Sequence, residues 1–136
     1  MNLCTITVSR TAAVYHESYT TKVSIPKGVW QELGLDACRF VVAGYDAGSS
    51  VLYLTPGEDT PEAYTVQGRG NENTTAKITM TLPVDLNRGL RKVLAGVDVN
   101  DDGVIVVNIG GGRAFEGKTL RNGRVVPYFE KQLDGA

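Results

Sequence analysis

The sequence has few of the residues on which reactive and metal-binding sites depend. Its 136 residues include one histidine, His16, and two cysteines, Cys4 and Cys38. The cysteines are too few and too far apart for a metal framework, so we interpret them as small buried hydrophobic residues. No nucleophile has a base at a recognisable spacing. We therefore expect no enzyme activity, no catalytic residue, no metal site and no cofactor.

The sequence also lacks long apolar runs and a strong net charge. No run approaches the roughly 18 residues that a membrane helix requires, and the N-terminus lacks the features of a signal peptide. We expect a cytoplasmic protein without a membrane partner, or one of the host cytoplasm or virion if it is viral. The net charge is -1, so any surface that binds phosphates must be a local patch.

Residues 22–35 carry the clearest local pattern. Val23 and Ile25 alternate with polar residues, as the two-residue period of a strand requires. Pro26 is compatible with the first position of a helix. Gly34 is a natural C-terminal cap. The stretch predicts a strand, one or two helical turns and a glycine stop.

This stretch resembles the AbrB/SpoVT-type swapped-hairpin (MazE/MraZ-like) family of DNA-binding proteins. The family's domain consists of a strand, Ile-Pro, a short helix that ends in Leu-Gly-Leu, and a hairpin. Residues 39–44 and 50–54 fit the two hairpin strands. The resemblance implies a mainly β fold in which two such units interleave.

The second half of the chain repeats this pattern. Residues 79–90 align with residues 22–33 at a constant offset of 57, so that Pro83 falls on Pro26. We interpret this as an internal duplication, in which residues 20–54 superpose on residues 77–107. The predicted fold is mainly β with short helices: a pseudo-twofold swapped-hairpin β-barrel built from two strand-helix-hairpin repeats, with extra strands at both termini.

The predicted organisation is one compact domain with five segments. They are an N-terminal strand and connector (1–18), a first repeat (19–57), a linker (58–76), a second repeat (77–112) and a C-terminal hairpin tail (113–136). Residues 63–66 of the linker can add a short strand. Asn122 and Gly123 give the tail the strongest short-range hairpin signal in the chain.

Basic residues at the family's DNA-facing locations are the candidate DNA contacts. They are Lys22, Lys27 and Arg39 in the first repeat and Arg88, Arg91 and Lys92 in the second. Contacts to several phosphates weaken steeply with salt. The alternative is that these six cations form an ordinary solvated surface.

A second set of residues is expected to bind a protein partner. At the helix position where the family often has an arginine, this chain has Trp30, which suits an interface if exposed and the core if buried. The other candidates lie in the tail hairpin and are Arg121, Arg124, Tyr128 and Phe129.

Two further motifs have a functional and a plain interpretation. Residues 98–103 match the opening of a calcium loop, but its twelfth position is Ile109 rather than an acidic residue, which favours a polar turn. Residues 110–113, Gly-Gly-Gly-Arg, offer backbone N–H groups to an anion or form a flexible junction before the tail, and we favour the junction.

Two classes of function follow. The first is an AbrB-like DNA-binding protein, a transcriptional regulator or an antitoxin, whose partner is double-stranded DNA. The second is a non-enzymatic protein-binding or assembly module on the same fold, such as a viral structural or cement protein or a small inhibitor. That class requires a protein partner or a homo-oligomer.

Overall fold

Nine β-strands and one short helix make up the part of the chain that the structure describes. The strands are β1 (Leu3–Thr11), β2 (Ser18–Ile25), β3 (Phe40–Asp46), β4 (Val51–Gly57), β5 (Tyr64–Gln67), β6 (Ala76–Leu82), β7 (Lys92–Val99), β8 (Ile105–Thr119) and β9 (Val125–Gln132). Helix α1 (Lys27–Glu32) lies between β2 and β3. The computed structural model describes residues 2–11, 18–68, 75–87, 91–119 and 125–132. It describes only the backbone of residues 10–11, 113–119 and 125–132.

Eight of the strands close into an antiparallel barrel. Around the barrel the order is β4-β3-β5-β6-β2-β1-β7-β8, and β8 pairs back onto β4. Strand β9 pairs with the end of β8 that extends beyond this closure. The expectation of a mainly β protein is therefore confirmed, and the barrel is closed. Short helices were expected in both repeats, but among the described residues only α1 is helical, and residues 83–87 form bends and turns.

The strand order around the barrel is symmetric with respect to the two halves of the chain. If each of the first four strands is exchanged with the strand four places later in the chain (β1 with β5, β2 with β6, and so on), the same order results, read in the opposite direction around the barrel. The central pair is β2 with β6, in which Lys22 lies opposite Thr79, 57 residues later. Residues 58–76, the predicted linker, include β5, which lies between β3 and β6. In this order β5 holds the place that β1 holds in the first half.

Alternation along the strands places the core inside the barrel. On β2 the buried residues Thr21, Val23 and Ile25 alternate with residues that are exposed or half-buried. On β6, Ile78 and Met80 are buried while Lys77, Thr79 and Thr81 are exposed. Because successive strand residues point to opposite faces, this pattern gives an apolar interior and a polar outer surface.

Helix α1 ends as the sequence predicts. Gly34 has a φ of +74°, and its N–H donates to the carbonyl of Gln31 at 3.0 Å. The N–H of Leu35 donates to the carbonyl of Trp30 at 3.1 Å, which completes a Schellman motif. Pro26 is the N-cap rather than the first helical residue, so the helix begins one residue later than predicted, at Lys27. Among the described residues, no helix is both long enough and apolar enough to cross a membrane.

The glycine run, residues 110–112, lies in β8 where the strand bulges. The pairing with β7 changes from Gly96 with Asn108 to Leu94 with Arg113. Four residues of β8 therefore lie opposite a single residue of β7. A bulge of this kind bends the strand and increases its local twist.

The backbone N–H groups at the bulge already have acceptors within the protein. Those of Ile109 and Gly110 donate to the carbonyl of Ser50 at 3.1 and 2.9 Å. The N–H of Gly111 donates to Oδ1 of Asn108 at 3.1 Å. The N–H groups of Gly110 and Gly111 are therefore not available to an anion, which counts against the alternative in which the glycine run cradles one. Residues 110–112, which we expected to form a flexible junction, instead form a bulge within strand β8.

Gly112 lies at the most crowded point of this bulge. A Cβ added there lies 2.7 Å from the carbonyl oxygen of Leu94 and 2.8 Å from Cγ1 of Val93. Gly112→Ala is therefore expected to lower the free energy of unfolding by about 1–3 kcal/mol, as overpacking does. Gly44→Ala is the matched control, because a Cβ on Gly44 meets nothing within 4 Å. Urea unfolding of both variants tests this, and equal stabilities would contradict the packing described.

Cys4 lies in the core and is 1% exposed. Burial raises the pKa of its thiol from 9.0 to about 12, because the interior disfavours the charged thiolate. A folded-state pKa above the unfolded value means that the protonated thiol stabilises the fold. This contribution is complete below pH 9 and is lost as the pH rises towards 12.

The Cys4 thiol therefore predicts a specific alkaline destabilisation. Between pH 8 and about 10.5, the stability of the wild type relative to Cys4→Ala should fall by about 2 kcal/mol, at 1.36 kcal/mol per pH unit beyond the unfolded pKa. Chemical unfolding of the two proteins across this range measures the difference, and the variant cancels the titration of all other groups. A difference that stays constant would show that Cys4 does not titrate as described.

Candidate functional site

One side of the barrel, the outer face of β7, β1, β2 and β6, carries lysine and hydroxyl side chains. In one row, Lys92 lies opposite Thr7, Thr7 opposite Lys22, and Lys22 opposite Thr79. Residues directly opposite each other on paired strands share a face. The lysine–threonine face consists of the outward-pointing Lys, Ser and Thr residues of the four strands: Thr5, Thr7, Ser9, Thr20, Lys22, Ser24, Lys77, Thr79, Thr81 and Lys92.

The lysine–threonine face is positively charged. Lys22 and Lys77 are exposed and Lys92 is half-buried. Among the described residues of these four strands the only carboxylate is that of Asp98, at the opposite end of β7 from Lys92. The remaining members of the face carry hydroxyl groups that can donate hydrogen bonds. Neighbouring strands are about 4.8 Å apart, so Lys22 and Lys92, which lie two strands apart, are separated by about 10 Å at the backbone. The arrangement suits a ligand with several anionic groups.

Two of the six predicted DNA contacts belong to this face, and a third borders it. Lys22 and Lys92 lie in the row just described. Arg91 is exposed, immediately precedes β7, and accepts the N–H of Val8 at its carbonyl at 3.1 Å. Lys77, paired with Ser24, was not predicted. The signal for it was the alternation of polar and apolar residues along β6, which places Lys77 on the outer surface.

Two of the other predicted DNA contacts do not join this face, and the third cannot be placed. Lys27 is the first residue of α1 and is half-buried. Arg39 is exposed, precedes β3, and accepts the N–H of Val66 at its carbonyl at 2.8 Å. Arg88 lies outside the described residues. Of the three cations predicted for the first repeat, only Lys22 belongs to the lysine–threonine face.

Trp30 is a core residue, and the expectation that its ring is exposed to a partner is wrong. Its side chain is 1% exposed, and it is among the largest fully buried residues. The Nε1 group has no hydrogen-bond partner among the described residues. The reason is the amphipathic geometry of α1, which turns Trp30 into the barrel and leaves Gln31 and Glu32 in solvent.

The remaining predicted partner-binding residues are in the C-terminal hairpin. Arg121 and Arg124 lie outside the described residues. Tyr128 and Phe129 are in β9, which pairs antiparallel with β8, but their side chains lie outside the description. The strand pairing runs from Arg113 with Gln132 to Thr119 with Val125, with one irregularity.

A second surface feature is a groove beside the end of α1. Its volume is about 430 Å³, and its lining is mostly apolar: Leu33, Gly34, Leu35, Ala37, Cys38, Pro56, Gly57, Val99 and Gly103. Cys38 is 9% exposed, and its Sγ donates to the carbonyl of Phe40 at 3.8 Å. The lining comes from three segments: the end of α1, the end of β4 and the β7–β8 turn.

The three segments that line the groove are acidic. Residues 33–38, 56–59 and 98–103 contain no lysine or arginine. Their exposed carboxylates belong to Asp36, Glu58, Asp59, Asp98, Asp101 and Asp102. We call the apolar groove together with these six residues the acidic groove. Its negative charge makes it unsuited to phosphate and suited to a cationic partner.

The residues that resemble a calcium loop form the polar turn between β7 and β8. Oδ1 of Asn100 accepts the N–H groups of Asp102 and Val104, both at 3.0 Å. The carbonyl of Asn100 accepts the N–H of Gly103 at 3.0 Å, and Gly103 has a φ of +78°. The side chain of Asn100, which would be a ligand in a calcium loop, therefore closes the turn. This agrees with the interpretation of residues 98–103 as a polar turn.

Comparisons with known proteins add no relative to these observations. No family model matches the chain. No curated protein and no solved structure matches it either.

Proposed function

We propose that this protein binds double-stranded DNA through the lysine–threonine face and acts, without enzymatic activity, as an AbrB-like transcriptional regulator or antitoxin. The observation that carries the proposal is the face itself. Lys22, Lys77 and Lys92 lie on one side of the barrel among hydroxyl side chains, and the only carboxylate among the described residues of the four strands, Asp98, lies at the far end of β7 from Lys92.

This chemistry matches what a DNA backbone requires. Lysine and arginine neutralise phosphates and release condensed counterions, which supplies affinity without sequence preference. Threonine and serine hydroxyl groups donate to phosphate oxygens and help to orient a protein on the duplex. The net charge of -1 does not oppose this, because five of the six acidic residues of the groove lie outside the four strands of the face, and the sixth, Asp98, lies at the far end of β7 from Lys92.

The strand order supports the further proposal that the barrel consists of two copies of one unit, as in swapped-hairpin proteins. The order is unchanged when the first four strands are exchanged with the next four. Trp30 and Asn87, which are 57 residues apart, are both buried. The centre of the β2–β6 pair, at Lys22 and Thr79, would then lie on a pseudo-twofold axis.

Such an axis has a functional meaning for DNA binding. A two-fold axis in a DNA-binding protein can coincide with that of the duplex, so that two half-sites are contacted in the same way. Lys22 lies in the first half of the chain, whereas Lys77 and Lys92 lie in the second. The face therefore extends across the proposed axis and draws on both halves.

A protein-binding or assembly module is the alternative function. The acidic groove favours it, because an apolar depression whose lining segments carry exposed carboxylates is typical of an interface. The burial of Trp30 removes one of the residues on which this alternative depended.

DNA binding is tested by titrating a labelled duplex of about 20 base pairs at several salt concentrations. The wild type should bind at about 50 mM salt and weaken steeply as salt rises. Lys22→Gln with Lys77→Gln should weaken binding at least about tenfold and reduce the slope of log K against log salt by about one per lysine.

Arg39→Gln provides the control for this experiment. Arg39 is one of the six predicted DNA contacts but lies outside the lysine–threonine face. Its replacement should leave the affinity for DNA within about twofold of the wild type. Absence of binding by the wild type at low salt would reject the proposed function. An equal loss in Arg39→Gln and in the lysine variant would reject the assignment to this face.

A further inference from the structure

The wall of the barrel that carries the lysine–threonine face is too wide to enter a groove of DNA. The face extends over four neighbouring strands, β7, β1, β2 and β6, and at about 4.8 Å per spacing the outer two are about 14 Å apart. The eight strands of the closed barrel give it a diameter of about 12 Å at the backbone, before side chains are added. The major groove is about 12 Å wide and admits a helix or a two-stranded ribbon. The face therefore rests on the ridges of a duplex.

From the ridges, the side chains of the face are too short to reach the bases. Seven of its ten members are threonine or serine, whose hydroxyl group is one bond beyond Cβ. The other three are lysines, whose four-carbon stem places the ammonium group about 6 Å from the backbone. The major groove is about 8.5 Å deep. These ten side chains can therefore contact phosphate and sugar but not the base edges.

The face also lacks the side chains that discriminate best between bases. Arginine, asparagine and glutamine form paired hydrogen bonds with base edges, and none of them is among the ten members. Two such residues lie at its margins: Gln67 of β5, opposite Lys77, and Arg91, immediately before β7. Four strand spacings separate β5 from β7, or about 19 Å. Gln67 and Arg91 therefore cannot enter one groove together.

We propose that the ligand of the lysine–threonine face is the phosphate chain itself, bound without contact to the bases. This rests on the proposed function, since it concerns the same site. The face then binds duplexes of any sequence with nearly equal affinity, and inorganic polyphosphate competes for it. A protein of this kind regulates by occupying DNA widely rather than by recognising one operator.

The spacing of the lysines suits an extended polyanion. At the backbone, Lys22 is two strands from Lys92, about 10 Å, and one strand and two residues from Lys77, about 8 Å. Three cations at these separations can each meet a different phosphate of one chain. The ammonium group is a point charge that binds phosphate without a fixed geometry, so it accepts the phosphates of DNA and of polyphosphate alike.

Selection from random duplexes tests whether bases are read. Duplexes with about 20 random base pairs are bound to the wild type at about 50 mM salt, recovered and amplified through several rounds. The selected pool should bind within about twofold of the starting pool, because all duplexes share the same backbone. A selected pool that binds at least about tenfold more tightly would overturn this inference and leave DNA binding itself intact.

Inorganic polyphosphate separates the phosphate chain from the rest of DNA. It should displace a labelled duplex from the wild type and bind directly in isothermal titration calorimetry. Lys22→Gln with Lys77→Gln should weaken the binding of polyphosphate and of duplex by similar factors, each at least about tenfold.

Arg39→Gln with Ala47→Glu is the matched control. It lowers the net charge by two, as the lysine variant does, but at exposed positions outside the face. It should bind both ligands within about twofold of the wild type. Circular dichroism checks that each variant is folded.

Failure of this inference and failure of the proposed function give different results. Polyphosphate binding through the lysines without duplex binding rejects the DNA-binding function and leaves the phosphate chain as the ligand of the face. Duplex binding that polyphosphate does not displace overturns the inference alone. An equal loss in the lysine variant and its control overturns the assignment to the face, and a wild type that binds neither ligand rejects both proposals.

Discussion

The pairing of β4 with β8 is the interaction on which the rest of the structure depends. Residues 51–54 pair with residues 105–108 and turn an eight-stranded sheet into a closed barrel. Without this pairing, both strands would present unpaired N–H and carbonyl groups along an edge. The same strands supply Leu52, Leu54 and Ile105, all fully buried. Closure therefore satisfies the backbone and completes the core in one step.

The core and the lysine–threonine face are two results of the same strand alternation. On β2, the period that buries Val23 exposes Lys22, and on β6 the period that buries Ile78 exposes Lys77. A shift of one residue in register would turn lysines inward and apolar residues outward. The register that gives the barrel its apolar interior therefore also fixes the positions of Lys22 and Lys77 on its outer surface.

Local signals were sufficient to predict the elements around α1. The alternation before Pro26 and the need for a left-handed residue at Gly34 each act within a few residues, so the strand, helix and stop could be read from the sequence. Strand β5 has only four residues and is held by partners far away in sequence, β3 and β6. No pattern within residues 64–67 indicates that β5 lies between β3 and β6.

The candidate site was predictable only in part, for a related reason. Lys22 and Lys92 were found by their location in the two repeats. Lys77 corresponds to Thr20 in the first half rather than to a cation. A comparison of the two halves therefore does not identify Lys77 as a candidate. The exposure of Trp30 was predicted wrongly because a helix of six residues has too few positions to reveal which side faces the core.

The closing pair has a consequence for the order in which the chain acquires its structure. Val51 finds its partner Asn108 only after more than fifty further residues have been synthesised. At about 5–20 residues per second, that interval lasts on the order of several seconds. During it, β4 on the nascent chain is an apolar strand with an open edge, which other chains can pair with. The edge of β4 is covered only when β8, from the second half of the chain, pairs with it.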